Sequence, residues 1–270
     1  MQKSFKEEKA TLYIVSTPIG NLKDITYRAI EILNDVDIIL AEDTRNSGIL
    51  LSHYQIKTKM MSYHEFNKST QELKIIEMLN EGKDIALISD AGTPGINDPG
   101  YEIIKKVIEE GFHVVSIPGA SAILSALVVS GLIIQPFTFI GFLPRKLGEQ
   151  KLILGNYQNR NETLVFYEAP LRIKKTLEVL YVTLGDRKVV LARELTKAFE
   201  TIIRTTLKEA IEMEHNPKGE YVVLVEGYQK PEVFEETIIE QVEEFIKNGY
   251  DEKDAMKAVA TLRNIKKSDV

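Results

Sequence analysis

Three stretches of this chain place glycine, proline and small hydroxyl residues where a backbone could close on a ligand: STPIGN at 16–21, SDAGTPGINDPG at 89–100 and IPGASA at 117–122. Glycine lets the main chain approach a bound molecule and turn through positive φ, while proline sets the turn and removes a competing N–H donor. Such stretches offer binding by backbone groups and short side chains. Neither GxGxxG nor GxxxxGK[ST] occurs in the chain, so the usual dinucleotide and P-loop modes of holding phosphate lose their main support. Cysteine is absent, and the four histidines (His53, His64, His113, His215) lack the close pairing of a motif such as HExxH. The sequence therefore carries no sign of a His/Cys metal site, and no metal is expected.

These stretches need elements to hold them, and the hydrophobic pattern supplies them. Short apolar runs without alternation, IVS, IILA, IALIS and VVSI, alternate with amphipathic segments such as STQELKIIEMLNEG at 69–82 and YEIIKKVIEEG at 101–111. That is the pattern of buried parallel strands covered by helices on both faces. Each glycine-rich stretch leaves the C-terminal end of one such strand, the edge at which open α/β sheets bind ligands. Within the longest stretch, Asp98-Pro99 is expected to cap the helix that follows. After Gly131 the pattern changes to FTFIGFLP, TLVFYEAP, KVVLARELT, FETIIRT and GEYVVLVEG with fewer helices between them, and the runs at 188–196 and 199–205 are close enough for an antiparallel connection. The expected architecture is α/β with a parallel-sheet domain over 11–132 and a mixed-sheet domain over 133–230. A helical extension over 231–270 would consist of two charged amphipathic helices parted at NGYD.

The 270 residues are 44% hydrophobic, enough to bury a core. The longest apolar run, ASAILSALVVSGLII, is too short to span a bilayer, and the charged start MQKSFKEEKA offers no export signal, so the cytoplasm is the default location. A net charge of −6 argues against coating nucleic acid by bulk electrostatics, although residues 141–215 hold 13 Lys+Arg against 10 Asp+Glu.

Eight motifs together, STPIGNLKDIT, AEDTRNSGILL, SDAGTPGINDPG, IPGASA, FIGFLPRK, FYEAPLRI, ARELTKAFE and GEYVVLVEG, closely resemble the tetrapyrrole-methylase-like superfamily over residues 11–227, and within it the branch that modifies small-subunit ribosomal RNA. The resemblance implies a two-domain fold with S-adenosylmethionine in the cleft between the domains, a homodimer, and 2′-O-methylation of a cytidine in the decoding region of 16S rRNA. By family position it puts cofactor contacts on Pro18, on Asp90, Gly92, Thr93, Pro94 and Ile96, on Ser121 and Ala122, on Tyr167, and on Gly219 and Glu220. A ribose hydroxyl is a poor nucleophile at neutral pH, so a base or a group lowering its pKa would help. Glu42, Asp43, Arg193 and Lys197 are the main candidates, with Arg45, His64, Glu65 and Glu194 behind them. Arg45, Arg145 and Lys146 are expected to neutralise RNA phosphates, as are Arg193 and Lys197. Aromatic residues are not visibly interleaved with the basic ones, which argues against a dedicated base-stacking platform. A tetrapyrrole or other small-molecule substrate on the same fold, or a cofactor-binding ribosomal module without catalysis, are the alternatives.

Overall fold

A computed structural model describes residues 2, 9–64, 68–97, 100–229, 236–263 and 265–270. Contacts gather the chain into two compact units, 1–228 and 229–270. The first unit contains two five-stranded sheets.

The first sheet is wholly parallel. Its strands are β1 (Thr11–Val15), β2 (Ile38–Ala41), β3 (Lys59–Ser62), β4 (Ile85–Ile88) and β5 (His113–Ile117), in the order β3-β2-β4-β1-β5. Between them lie α1 (Tyr27–Asp35), α2 (Thr44–His53), α3 (Lys68–Asn80) and α4 (Tyr101–Glu109). Two separate cores follow from the alternation of side chains across the strands. Leu12, Leu40 and Leu87 pack with Ile75, Leu79, Ile103 and Val107 of α3 and α4 on one face. Val15, Ile39 and Ala86 pack with Ala29, Leu33 and Leu51 of α1 and α2 on the other. Each fully buried aliphatic side chain contributes about 1.5–3 kcal/mol, so a two-sided sheet of continuous apolar strands is the favoured solution.

Strand β1 pairs with β4 on one side and with β5 on the other, so the chain reverses its direction of winding beside β1. Such a switch point opens a crevice beyond the strand ends. The three glycine-rich stretches converge there. Strand β3 was not expected: its four residues, KMMS, are exposed to partly buried and lie at the sheet edge, where the apolar signal is weakest. The expected Asp98-Pro99 cap lies outside the described residues, and Gly100 stands at the N-cap of α4 without a side-chain bond.

The second sheet is mixed, with β6 (Phe137–Phe142), β7 (Thr163–Glu168), β8 (Lys188–Arg193), β9 (Thr201–Thr206) and β10 (Tyr221–Val225) in the order β6-β7-β10-β8-β9. Only β6 and β7 run parallel; the other pairs are antiparallel, including β8 with β9. One face packs under α6 (Leu147–Gly155), α7 (Ile173–Leu184) and α8 (Leu207–Glu212). The other face receives Ile123, Ala126 and Leu127 of α5 (Ala122–Ser130), the helix that leaves the first sheet. This shared core of α5, Ile19, Val165, Val190 and Val222 ties the two sheets into one unit.

In the second unit, α9 (Ile238–Lys247) starts with a capping box of Thr237 and Glu240, and α10 (Glu252–Leu262) starts at Asp251, whose carboxylate accepts from the Asp254 N–H. The NGYD break therefore falls as the sequence indicates. Among the described residues no helix is long and apolar enough to cross a membrane.

The turn after β5 presses on the turn after β1. A Cβ added at Gly119 would lie 2.8 Å from Ser16 Cβ and 3.2 Å from its carbonyl oxygen. Gly119→Ala is therefore expected to lower the unfolding free energy by about 1–3 kcal/mol, as overpacking does. The measurement is the urea midpoint at unchanged slope, and an unmoved midpoint would show that the two turns are not in contact.

Candidate functional site

The three turns are bonded to one another before any ligand is considered. Thr17 and Gly92 form an isolated antiparallel bridge: the Thr17 N–H donates to the Gly92 carbonyl at 2.8 Å and the Gly92 N–H donates back at 3.1 Å. The hydroxyls of Ser16 and Thr93 meet at 2.8 Å, and the Ser16 N–H donates to Ile117 of β5 at 3.1 Å. Gly92 holds φ at +79°, a left-handed conformation that favours glycine. Its N–H is committed to Thr17, so its part in the site is to shape the backbone.

A cleft of about 490 Å³ opens over these turns, within the range of roughly 300–1,000 Å³ usual for small-molecule sites. Of the residues expected to touch a cofactor, Asp90, Gly92, Thr93, Ile96, Ser121, Ala122, Tyr167, Gly219 and Glu220 all line it. Pro18 and Pro94 do not; both are buried and set the turns from behind. Ile19, Ala122, Leu195 and Val222 give the cleft apolar walls. Its charge is one-sided. Glu42, Asp90, Glu168 and Glu220 line it, and no Lys, Arg or His does among the described residues.

Asp90 is also structural. Its carboxylate accepts from the Asp43 N–H at 3.3 Å and from the Asn46 side-chain amide at 2.8 Å, fixing the start of α2. Of the four catalytic candidates only Glu42 lines the cleft. Asp43 is the N-cap of α2 and is chelated by Arg45, with Nε at 3.1 Å from Oδ1 and a terminal guanidinium nitrogen at 2.7 Å from Oδ2. That bonding holds its carboxyl at about 2. Arg193 Nε donates to the Lys218 carbonyl at 2.9 Å, tying the end of β8 to the loop before Gly219. Arg45, Arg145 and Lys146 are exposed, and Lys146 pairs with Glu149 at 3.1 Å. His64 is half-buried, and Glu65 lies outside the described residues.

Lys197 is not part of the lining but bonds to the lining residue Glu220. Its ammonium sits 3.0 Å from Glu194 Oε1 and 3.0 Å from Glu220 Oε2. Burial lowers the pKa of this ammonium, but the bonds to Glu194 and Glu220 outweigh it and the net shift is upward. Lys197 is therefore a fixed cation and no base at neutral pH. The loop that carries it holds two non-glycine residues in the left-handed region, Glu194 at φ +51° and Thr196 at +67°. Its packing on the first turn is close: Thr196 Oγ1 accepts from the Asn21 N–H at 3.1 Å, and a Cβ on Gly20 would lie 2.6 Å from Lys197 Cγ.

Sequence reasoning did not single out Phe142 and Glu168 as lining residues. Glu168 is buried, with Oε2 accepting from the Thr176 hydroxyl at 2.5 Å and Oε1 at 3.3 Å from Arg172 Nε. A carboxylate closing a β-type run, followed by Ala-Pro, was its only signal. Among the described residues no group of three or more His, Cys, Asp or Glu is placed to hold a metal ion.

The model of the Tetrapyrrole (Corrin/Porphyrin) Methylases matches residues 11–211. The chain is 48% identical to ribosomal RNA small subunit methyltransferase I of Bacillus subtilis (strain 168), over 98% of this chain and 94% of that protein. It is 46% identical to the protein of the same name from Halalkalibacterium halodurans, with the same coverage. This chain belongs to the tetrapyrrole methylases, in the ribosomal RNA small subunit methyltransferase I family. Two solved structures share the tetrapyrrole methylase fold at low identity. Diphthine synthase superposes with a TM-score of 0.64 at 15% identity, covering 80% of this chain and 90% of that one. Cobalt precorrin-4 methyltransferase superposes at 0.58 and 19% identity, covering 80% and 94%.

Within this tetrapyrrole methylase the Lys197 bridge is testable apart from any activity. Lys197→Met leaves Glu194, whose side chain is 15% exposed, facing Glu220 with no counter-charge, at an expected loss of about 1–3 kcal/mol. Glu194→Gln in the same chain should restore part of it. Because the folded pKa is raised, the contribution of Lys197 should be complete below its ordinary 10.5 and fade as pH rises through the folded value. Urea unfolding at several pH values reads both effects, and a Met variant as stable as the wild type would remove the bridge from the fold's support.

Proposed function

We propose that this protein transfers a methyl group from S-adenosylmethionine to the 2′-hydroxyl of a cytidine in the decoding region of 16S rRNA. The observation that carries the reading is a cleft lined, among the described residues, by four carboxylates and no basic side chain, built on the glycine-rich edge of a parallel sheet. The cofactor is a sulfonium with an adenosine and an amino-acid tail, cationic overall, and these residues fit it: apolar walls for the adenosine, short polar side chains for the tail, and carboxylates complementary to the positive charge. A nucleotide polyphosphate would meet no basic side chain on the described lining, and the cations bonded to that lining, Lys197 and Arg172, are already engaged by Glu220 and Glu168.

When bound, the cofactor supplies a methyl already activated by a neutral leaving group, so the chain's task is mainly positioning. Asp90, Thr93, Ser121 and Ala122 on the turns of the first sheet, and Tyr167, Gly219 and Glu220 from the second half, all lining the cleft, would hold it. Glu42 is the one catalytic candidate with a carboxylate in the cleft, and it accepts the proton from the ribose hydroxyl. Lys197 keeps Glu194 and Glu220 in place. Arg45, Arg145 and Lys146, all exposed, contact phosphates of the folded subunit, and this local set suits an acidic protein that recognises an assembled particle.

The protein acts as a homodimer in this reading. On α5 the side chains of Leu124 and Val128 project outward four residues apart, and Ile133, Ile134 and Phe137 follow, all at least 39% exposed. Paired Leu124→Glu and Val128→Glu should convert a dimer to a monomer in light scattering. A wild type that is monomeric at micromolar concentration would refute the dimer.

Nucleoside mass spectrometry of unmodified small subunits incubated with the protein and S-adenosylmethionine should show one new 2′-O-methylcytidine. Glu42→Gln should lower kcat by roughly 10²–10⁴, a loss far larger than any weakening of cofactor affinity from removing one of the four lining carboxylates. No new nucleoside, with cofactor bound normally in calorimetry, would move the substrate to a small molecule.

A further inference from the structure

Strand β6 contains an irregularity with a direct effect on the cleft. Its pairing with β7 runs Phe137 to Thr163, Thr138 to Leu164 and Phe139 to Val165, then skips one residue, so that Gly141 meets Phe166 and Phe142 meets Tyr167. Unbroken alternation would place Gly141 beside Phe139 and turn Phe142 to the opposite face. The extra residue reverses this. Phe139 and Tyr167 belong to the α5 face, Ile140 and Leu143 to the far core, and Phe142 comes round to line the cleft. Bulges recur beside active sites because they re-aim a side chain in this way. Gly141 permits it with φ at +77°.

The ring so placed is large, apolar and 54% exposed, and it is braced on one side. Tyr167 meets it edge-on with centroids 5.7 Å apart, and Tyr167 is in turn braced by Phe139 at 5.0 Å. The two residues after it are pinned through their carbonyls. Arg172 donates to Leu143 at 2.7 Å, and the Gln150 amide donates to Pro144 at 2.6 Å. Arg172 is itself held by Glu168. Immediately beyond lie the exposed Arg145 and Lys146. A braced, half-exposed aromatic face on the lining of a cleft, with cations three and four residues on, is the kind of arrangement that binds an unstacked nucleobase and its backbone.

We infer that Phe142 is the stacking platform for the acceptor nucleobase, held outside the helix stack while its ribose reaches into the cleft. This rests on the RNA methyltransferase reading above. It also runs against the expectation that no aromatic platform accompanies the basic residues: in sequence Phe142 is one phenylalanine of an apolar run, and only the bulge turns it toward the cleft.

The test compares Phe142→Leu, which keeps an apolar side chain but loses the π face, with Phe142→Trp, which restores it. Wild type and variants are assayed for KM and kcat with small subunits and, separately, for S-adenosylmethionine affinity by calorimetry. Phe142→Leu should raise KM about tenfold or more, leave cofactor affinity within twofold, and unfold at the wild-type temperature; Phe142→Trp should return KM to within about threefold of wild type. An active wild type with Phe142→Leu indistinguishable from it overturns the platform alone. Cofactor affinity that weakens as much as KM also overturns it, since the ring would then face the adenosine. A wild type that methylates nothing overturns the enzymatic reading and this inference with it.

Discussion

Two backbone hydrogen bonds between Thr17 and Gly92 govern the rest of the site. They join the chain leaving β1 to the chain leaving β4, at the point where the parallel sheet changes winding direction. Neighbouring strand ends would otherwise release their loops separately into solvent. Because the bonds are main-chain to main-chain, they constrain φ and ψ on both sides. Gly92 supplies the left-handed geometry they demand, while Pro18 and Pro94 limit the alternatives open to the unfolded chain. Ser16, Thr93 and Gly119 then bring the third turn into the same assembly. The floor of the cleft is thus part of the fold and preformed.

The first sheet was largely legible in the sequence because continuous apolar runs and amphipathic helices alternate with little ambiguity. Strand β3 escaped because an edge strand of four residues carries hardly any pattern. In the second half, α6, α7 and α8 made the region more helical than the strand-like motifs indicated. The floor of the cleft was readable for the same reason the sheet was: Asp90, Gly92, Thr93 and Ser121 sit in turns whose composition is a local property. Phe142 and Glu168 were not readable as site residues, since their orientation depends on a bulge and on packing between distant segments. Asp43 and Lys197 looked chemically available, but partners far away in sequence or two residues along, Glu220 for Lys197 and Arg45 for Asp43, had already engaged them.

The second sheet presents the opposite logic to the first. Where the first uses backbone bonds to fix its turns, the loop after β8 uses an ion pair and tolerates backbone strain. Non-glycine residues in the left-handed region persist only when their surroundings over-determine them. At Glu194 and Thr196 those surroundings are visible: the Lys197 bridge, the Asn21 bond and the close fit against Gly20. A loop held this way is firm while its charges are in place and reports directly on them.

Helix α5 belongs to both systems. Its N-cap, Ser121, is in the cleft, its inner face is core to the second sheet, and its outer face presents Leu124 and Val128 to solvent. Nine residues thus connect the floor of the cleft to the surface on which the proposed second subunit would rest. In the proposed dimer, whatever steadies that helix from outside would also steady the turn at its start, so self-association and ligand binding would be linked equilibria. By thermodynamic reciprocity, any gain in ligand affinity on pairing must return as an equal gain in pairing on ligand binding.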